Sequence, residues 1–147
     1  LLHESDYVSV NCPLTPDTHH LIDAERLALM KPTAYLINTA RGPIVDQVAL
    51  TAALRERRIR GAALDVFERE PVDPADPILQ LDNVIVAPHG LAWTDEWTLL
   101  TGRSCCENIL AVAAGREPNY VVNRAVLRSP SFREKLRRYA AEGRNEK

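Results

Sequence analysis

The sequence predicts an α/β fold in which a parallel β-sheet is covered by helices on both faces. Short apolar runs alternate with longer segments of helical pattern. The apolar runs are nearly continuous, which is typical of strands that are buried on both sides. The gaps from residue 38 to 62 and from 66 to 84 are long enough for parallel crossovers, which need about a dozen residues or more.

Four apolar runs are predicted as strands, each followed within four positions by turn-forming or charged residues. They comprise residues 7–10, 34–38, 62–67 and 83–87. The first run, for example, ends at Asn11, Cys12 and Pro13. Parallel strands in this order would bring all of these turns to one edge of the sheet.

Helices are predicted after the first, second and fourth runs. They cover residues 23–30, 46–58 and 95–114, with Asp23, Asp46 and Thr94 as N-caps and Gly115 at the end of the last one. A short basic helix is predicted at 131–141, and the Pro- and Asp-rich segment 71–77 is predicted as an ordered loop.

Composition excludes several classes of protein. Lys and Arg number 18 against 20 Asp and Glu, so a net charge of −2 gives no case for binding nucleic acid. No run of about eighteen apolar residues exists to cross a membrane. Three cysteines, two of them adjacent, match neither a disulfide framework nor a zinc site, which predicts reduced thiols, a cytoplasmic location and no metal centre.

Functional residue types follow the ends of three consecutive predicted strands. Arg41 follows the second strand, Asp65 to Glu70 the third, and His89 the fourth. Each alone has an ordinary explanation, because an arginine or glutamate after a strand is usually solvated and a histidine between Pro and Gly often belongs to a turn. Ligands of open parallel sheets bind at the carboxyl ends of strands, so the three together predict a site.

The sequence motifs around these residues resemble the signatures of a known family, the D-2-hydroxyacid dehydrogenases. The matching stretches are residues 37–46, 61–71 and 83–90, and residues 6–23 resemble the family's preceding strand and turn. The four motifs occur in the family's order, and the resemblance covers roughly residues 1–125. It implies a Rossmann-like domain of a cytoplasmic, homodimeric oxidoreductase.

The resemblance also implies roles for individual residues. Arg41 corresponds to the substrate-binding arginine, Glu70 to the acid before proline, and His89 to the catalytic histidine. Asp65 corresponds to the aspartate that hydrogen-bonds the nicotinamide carboxamide. The segments that line the cofactor correspond to Cys12, Pro13, Thr39, Ala40, Arg41, His89 and Gly90.

These residue types suit hydride transfer between NAD(H) and a small 2-keto or 2-hydroxy acid. The planar guanidinium of Arg41 can hold a carboxylate with two hydrogen bonds. His89 can exchange a proton with the substrate oxygen near neutral pH, and a carboxylate from Glu70 beside it favours the protonated imidazole.

Two features depart from the family pattern. The sequence has no Gly-x-Gly-x-x-Gly turn, so NAD is the expected cofactor but NADP stays possible. We therefore predict that residues 1–117 are the C-terminal part of an NAD-binding domain. Residues 118–147 would form a crossover and basic tail that returns toward a substrate domain outside this chain.

The second departure from the family pattern follows the histidine. Bulky Leu91 and Trp93 stand there, and they leave the identity of the 2-hydroxy acid open.

Two other functions stay open at the sequence level. One is a non-catalytic relative, such as an NAD-sensing corepressor-like module or a truncated half-domain, and the other is a scaffold. The other polar residues and cysteines are given no role in the chemistry. Glu68 is the competitor of Glu70 for the histidine, solvent exposure is predicted for His3, His19 and His20, and packing inside a helix is predicted for Cys105 and Cys106.

Overall fold

The structure is a computed structural model that describes the backbone of residues 1–145 and the side chains of residues 1–142. The chain divides into two compact units, of which the first is Leu1–Ala92 and the second begins at Trp93. Within the described part of the chain, no helix has both the length and the apolar character needed to cross a bilayer.

The first unit contains a four-stranded parallel sheet, as the apolar runs predicted. The strands are β1 (Tyr7–Val10), β2 (Tyr35–Asn38), β3 (Gly61–Leu64) and β4 (Val84–Val86), and they lie side by side in chain order. Two helices, α1 (Ala24–Ala28) and α2 (Gln47–Arg55), fill the first two crossovers. The predicted α/β class with a parallel, Rossmann-like sheet is therefore confirmed.

The predicted caps begin both helices. A side-chain oxygen of Asp23 accepts a hydrogen bond from the Arg26 N–H at 2.8 Å, and Asp46 accepts one from Ala49 at 2.9 Å. Each contact satisfies an N–H group that has no partner inside the helix. Two short 3₁₀ turns, Gly42–Ile44 and Pro77–Gln80, were not predicted, because so few residues show no periodicity.

The hydrophobic core of the first unit lies on one face of the sheet. Its buried members include Val8, Leu36 and Leu64 from the strands together with Leu27, Leu50 and Leu54 from the helices. Strands in chain order with right-handed crossovers place their helices on the same side. On the opposite face Tyr7 is 70% exposed and Ile85 75% exposed. Residues 1–92 thus supply one of the two helical layers that the sequence predicts.

The second unit is helical. It contains α3 (Asp95–Ala113), a 3₁₀ turn (Arg124–Arg128) and α4 (Pro130–Asn145). The predicted ends of α3 are confirmed, since the Thr94 hydroxyl accepts a hydrogen bond from the Trp97 N–H at 3.1 Å and Gly115 has a φ of 70°. Cys105 and Cys106 are exposed, so the prediction that they pack was wrong. The sequence pattern of α3 indicates a helix but not which of its faces is buried, so the exposure of the two cysteines could not be predicted from it.

Candidate functional site

The predicted site residues follow the ends of four aligned strands. One row of register partners crosses the sheet, from Val10 to Asn38, Leu64 and Val86. Chain polarity is the same in all four strands, so the turns after this row emerge from one edge. Those turns carry every predicted site residue: Cys12, Pro13, Thr39, Ala40, Arg41, Asp65, Glu70, His89 and Gly90.

Glu70 and His89 form the central contact of the site. Nδ1 of His89 lies 2.7 Å from Oε2 of Glu70, and Oε1 of Glu70 accepts a hydrogen bond from the Phe67 N–H at 2.9 Å. Both oxygens are therefore fixed, one by its own loop and one by the imidazole. This geometry holds the histidine ring by one nitrogen and leaves Nε2 for another partner.

Several opposing influences act on the Glu70 carboxyl. Partial burial alone would raise the pKa of Glu70, because it disfavours the charged form. The hydrogen bonds from His89 and Phe67, with the positive charges of His89 and Arg41, outweigh this and hold the pKa below its ordinary value of 4.5. Glu70 is consequently a carboxylate at neutral pH and can accept hydrogen bonds.

Arg41 stands on a turn that a buried asparagine shapes. Asn38 is 1% exposed, its Nδ2 donates to the Arg41 carbonyl at 3.0 Å, and its Oδ1 accepts from the Ala40 N–H at 3.1 Å. The Arg41 side chain is exposed, and its Nη1 donates to the Ala40 carbonyl at 2.6 Å. The guanidinium thus keeps further N–H groups for a ligand.

Gly42 allows the Arg41 turn to approach the Glu70 loop. A Cβ atom built on Gly42 would lie 1.8 Å from the Phe67 carbonyl oxygen and 2.5 Å from the Glu68 nitrogen. No side chain fits in that space, so the absence of a Cβ lets the two backbones touch. Arg41 precedes this contact by one residue, and Glu70 follows it by three.

Asp65 anchors the segment that carries His89. It is 4% exposed, and its two carboxylate oxygens accept hydrogen bonds from the backbone N–H groups of Gly90 at 2.8 Å and Leu91 at 3.2 Å. His89 itself has a φ of 54°, a conformation that few non-glycine residues adopt. The carboxamide role implied for Asp65 stays a prediction, whereas its hold on the histidine loop is visible.

Hydrogen bonds join Asp65 and Glu70 to the segment that carries His89, and the turn of Arg41 meets the Glu70 loop at Gly42, but Cys12 and Pro13 stand apart from this group. Within the described residues, the turn after β1 is closed by its own contact, a Thr18 hydroxyl that donates to the Pro13 carbonyl at 2.7 Å. It shares the edge of the sheet without a hydrogen bond to the group.

Three supporting residues were missed by the sequence analysis. Asn38 ends a run that is otherwise apolar, and a polar residue at the end of a buried strand was a signal for its role. Gln47 bridges two loops, since its Oε1 accepts from the Glu68 N–H at 3.0 Å and its Nε2 donates to Asp76 at 2.8 Å.

His20 was predicted to be solvated, yet it is half-buried and paired with Glu68. Glu68 therefore has its own histidine, and Glu70 is the acid that contacts His89.

Known proteins resemble the chain in sequence and in structure. A family model described as the NAD binding domain of D-isomer specific 2-hydroxyacid dehydrogenases matches residues 1–90. A glyoxylate reductase of Thermofilum pendens is 52% identical over 128 residues, which are 87% of this chain and 38% of that protein. The chain thus spans about two-fifths of the length of the curated relatives it matches.

Two solved structures extend the comparison. A D-isomer specific 2-hydroxyacid dehydrogenase of Lactobacillus delbrueckii ssp. bulgaricus, in an NAD-complexed form, has a TM-score of 0.76 at 34% identity, covering 82% of this chain and 41% of that one. A second such dehydrogenase, from Xanthobacter autotrophicus Py2 in complex with NADPH and MES, has a TM-score of 0.69 at 43% identity. It covers 83% of this chain and 50% of that one.

Proposed function

This chain belongs to the D-isomer specific 2-hydroxyacid dehydrogenases, and we propose that the protein carrying it transfers a hydride between NAD(H) or NADP(H) and a small D-2-hydroxy acid or 2-keto acid. The observation that carries the proposal is the contact between Glu70 and His89, together with the close approach at Gly42 that joins the Glu70 loop to the turn of Arg41. A binding module needs no such pair of an acid and a histidine near an exposed arginine.

The residues divide the chemistry of keto acid reduction. Arg41 binds the substrate carboxylate through two parallel N–H groups and orients the keto group. His89 donates a proton to the keto oxygen from Nε2, because Glu70 occupies its Nδ1. In the direction of oxidation, the same nitrogen accepts the proton. When bound, the nicotinamide supplies or accepts the hydride, and the protein supplies position and charge.

The turns at the carboxyl ends of the strands suit a dinucleotide cofactor. We assign Cys12, Pro13, Thr39, Ala40, Gly90 and the backbone of Arg41 and His89 to its surroundings, and Asp65 to the nicotinamide carboxamide. Asp65 fits this role in part, because each of its oxygens accepts one N–H group and keeps a second lone pair. The resembling structures include complexes with NAD and with NADPH, so both cofactors belong to the proposal.

The proposed substrate is glyoxylate or a 2-keto acid of similar size, on the strength of the resemblance to glyoxylate reductases. We further propose that the complete protein is a cytoplasmic homodimer. Three free cysteines in the described part of the chain support a reducing compartment.

Exchange of Arg41 for lysine separates an enzyme from a binding module. A lysine ammonium lacks the planar fork, so Arg41→Lys in the complete protein should lose about 2–4 kcal/mol of transition-state stabilisation, or about 30- to 1000-fold in kcat/KM. Cofactor affinity should hardly change. Steady-state kinetics on glyoxylate and hydroxypyruvate, with a parallel cofactor titration, measure both quantities. A parent protein without turnover would favour the corepressor-like alternative, and full activity in Arg41→Lys would remove Arg41 from its role.

A further inference from the structure

A second group of titratable side chains lies outside the proposed active site. The ligand atoms of His19, His20 and Glu68 all lie within 4.8 Å of one another. Nε2 of His20 contacts Oε1 of Glu68, and the rings of His19 and His20 stack with centroids 4.1 Å apart. Two adjacent imidazoles thus converge with a carboxylate that lies 48 positions from His20 in the sequence.

The surroundings hold His20 in a fixed position. Its backbone has a φ of 50°, and its N–H donates to the Pro43 carbonyl at 2.8 Å. On the far side of the ring, Oδ2 of Asp46 lies 4.0 Å from Nδ1. A carboxylate hydrogen-bonded to the second ring nitrogen is the usual partner of a metal-binding histidine, because it orients the ring. Asp46 lies beyond hydrogen-bond distance from Nδ1 and would act on the ring through its negative charge. Asp46 is itself fixed by its capping contact with Ala49.

We propose that His19, His20 and Glu68 bind a divalent transition-metal ion such as Zn²⁺. Two histidine nitrogens and one carboxylate oxygen are a ligand set that zinc accepts, with a water molecule as the fourth ligand. Tetrahedral bonds of about 2.1 Å require ligand atoms about 3.4 Å apart. The ligand atoms of the cluster lie up to 4.8 Å apart, and His20 contacts Glu68 directly. Ion binding would therefore require the exposed His19 side chain to turn toward the ion and the contact between His20 and Glu68 to open.

The proposed metal site is independent of the hydride-transfer proposal. Both oxygens of Glu70 are already held, by Phe67 and His89, and neither belongs to the cluster. The ion would instead join the turn before α1 to the loop that follows β3. Because the ion binds folded protein, it should also stabilise the fold.

Metal titration of the complete, tag-free protein tests the site directly. Cys105→Ser and Cys106→Ser are introduced in the parent and in every variant, because both thiols are exposed and thiolates are zinc ligands in general. Calorimetry with Zn²⁺ should show one saturable ion that Glu68→Gln and His19→Asn each remove. His3→Asn, which changes a histidine outside the cluster, is the matched control and should retain the ion.

Thermal unfolding provides a second readout. Zn²⁺ should raise the melting temperature of the parent and of His3→Asn, but not that of the two cluster variants. His19→Asn keeps the test decisive if Glu68→Gln fails to fold, since the His19 side chain is exposed. The proposal is overturned if the parent binds no ion saturably, or if the ion persists in His19→Asn.

Discussion

At the scale of single residues, the contact between Glu70 and His89 decides how the proposed site works. The hydrogen bond from His89 is one of the influences that lower the pKa of Glu70, so a charged carboxylate contacts Nδ1 of the imidazole. In the proposed reaction His89 gives its proton to the substrate, so we expect this carboxylate to influence the pH range of reduction.

Glu70→Gln tests this coupling. An amide keeps the shape of the side chain but carries no charge. As the pH rises, we therefore expect reduction to be lost at a lower pH in Glu70→Gln than in the parent. The pH profile of kcat/KM for reduction in the complete protein gives the answer. Glu68→Gln, whose carboxylate contacts His20 instead, is the control and should leave the profile in place. An unchanged profile in Glu70→Gln would contradict the pairing.

The same substitution should change the dependence of stability on pH. The pKa of Glu70 is lower in the folded chain than its ordinary value of 4.5, so the charged carboxylate stabilises the folded state above pH 4.5. This stabilisation is lost as the pH falls through the lowered pKa. Glu70→Gln should therefore unfold with less pH dependence in that acidic range. Urea denaturation at neutral pH and below pH 4.5 compares the two proteins. If the free energy of unfolding changed equally with pH in both proteins, the contact would contribute nothing to stability.

At the scale of elements, apolar runs and capping residues carried most of the information. All four strands overlap their predicted ranges, and Asp23, Asp46 and Thr94 cap the helices that follow them. These features depend on neighbours in the sequence, which explains why they were predictable. The contact of His20 with Glu68 joins residues that are 48 positions apart, and the contact of Gln47 with Asp76 joins residues that are 29 positions apart. Local sequence patterns contain no information on such pairs.

Gly42 is the point at which two elements meet, and its substitution measures how much that contact matters. Gly42→Ala places a methyl group against the backbone of Phe67, so we expect a loss of about 1–3 kcal/mol in the free energy of unfolding. Because the Arg41 turn and the Glu70 loop must separate, kcat/KM should fall as well.

A second glycine provides the matched control for this experiment. Gly102 lies within α3, and a Cβ atom there meets nothing within 4 Å. Gly102→Ala should therefore be neutral or should stabilise the helix by about 0.5–1 kcal/mol. Chemical denaturation of both variants makes the comparison. If Gly42→Ala were as stable and active as Gly102→Ala, the close approach would have no functional weight.

At the scale of the whole molecule, exposed apolar side chains indicate surfaces that suit further contacts. Tyr7 and Ile85 lie on the open face of the sheet, and Leu99, Leu100 and Ile109 are exposed on α3. The chain also spans about two-fifths of the length of its curated relatives and has no glycine-rich phosphate-binding turn. The pyrophosphate of the cofactor would therefore lack the backbone N–H groups that such a turn provides.

The 147-residue chain alone should consequently bind NAD weakly and catalyse no turnover. Calorimetric titration of this chain, beside the complete protein, measures the difference. Micromolar affinity in the chain alone would show that the strand-end turns described here hold the dinucleotide without the phosphate-binding turn.

The proposed function requires hydride transfer to the carbonyl carbon of a 2-keto acid, and an isotope on the cofactor follows that transfer. The complete protein is supplied with glyoxylate or hydroxypyruvate and with NADH or NADPH that carries deuterium on the reactive face of the nicotinamide. We predict that one deuterium appears at C2 of the product for each cofactor oxidised, and that hydroxypyruvate yields the D-isomer. Cofactor oxidation without deuterium at C2, the L-isomer, or no oxidation that depends on a keto acid would contradict the proposed function.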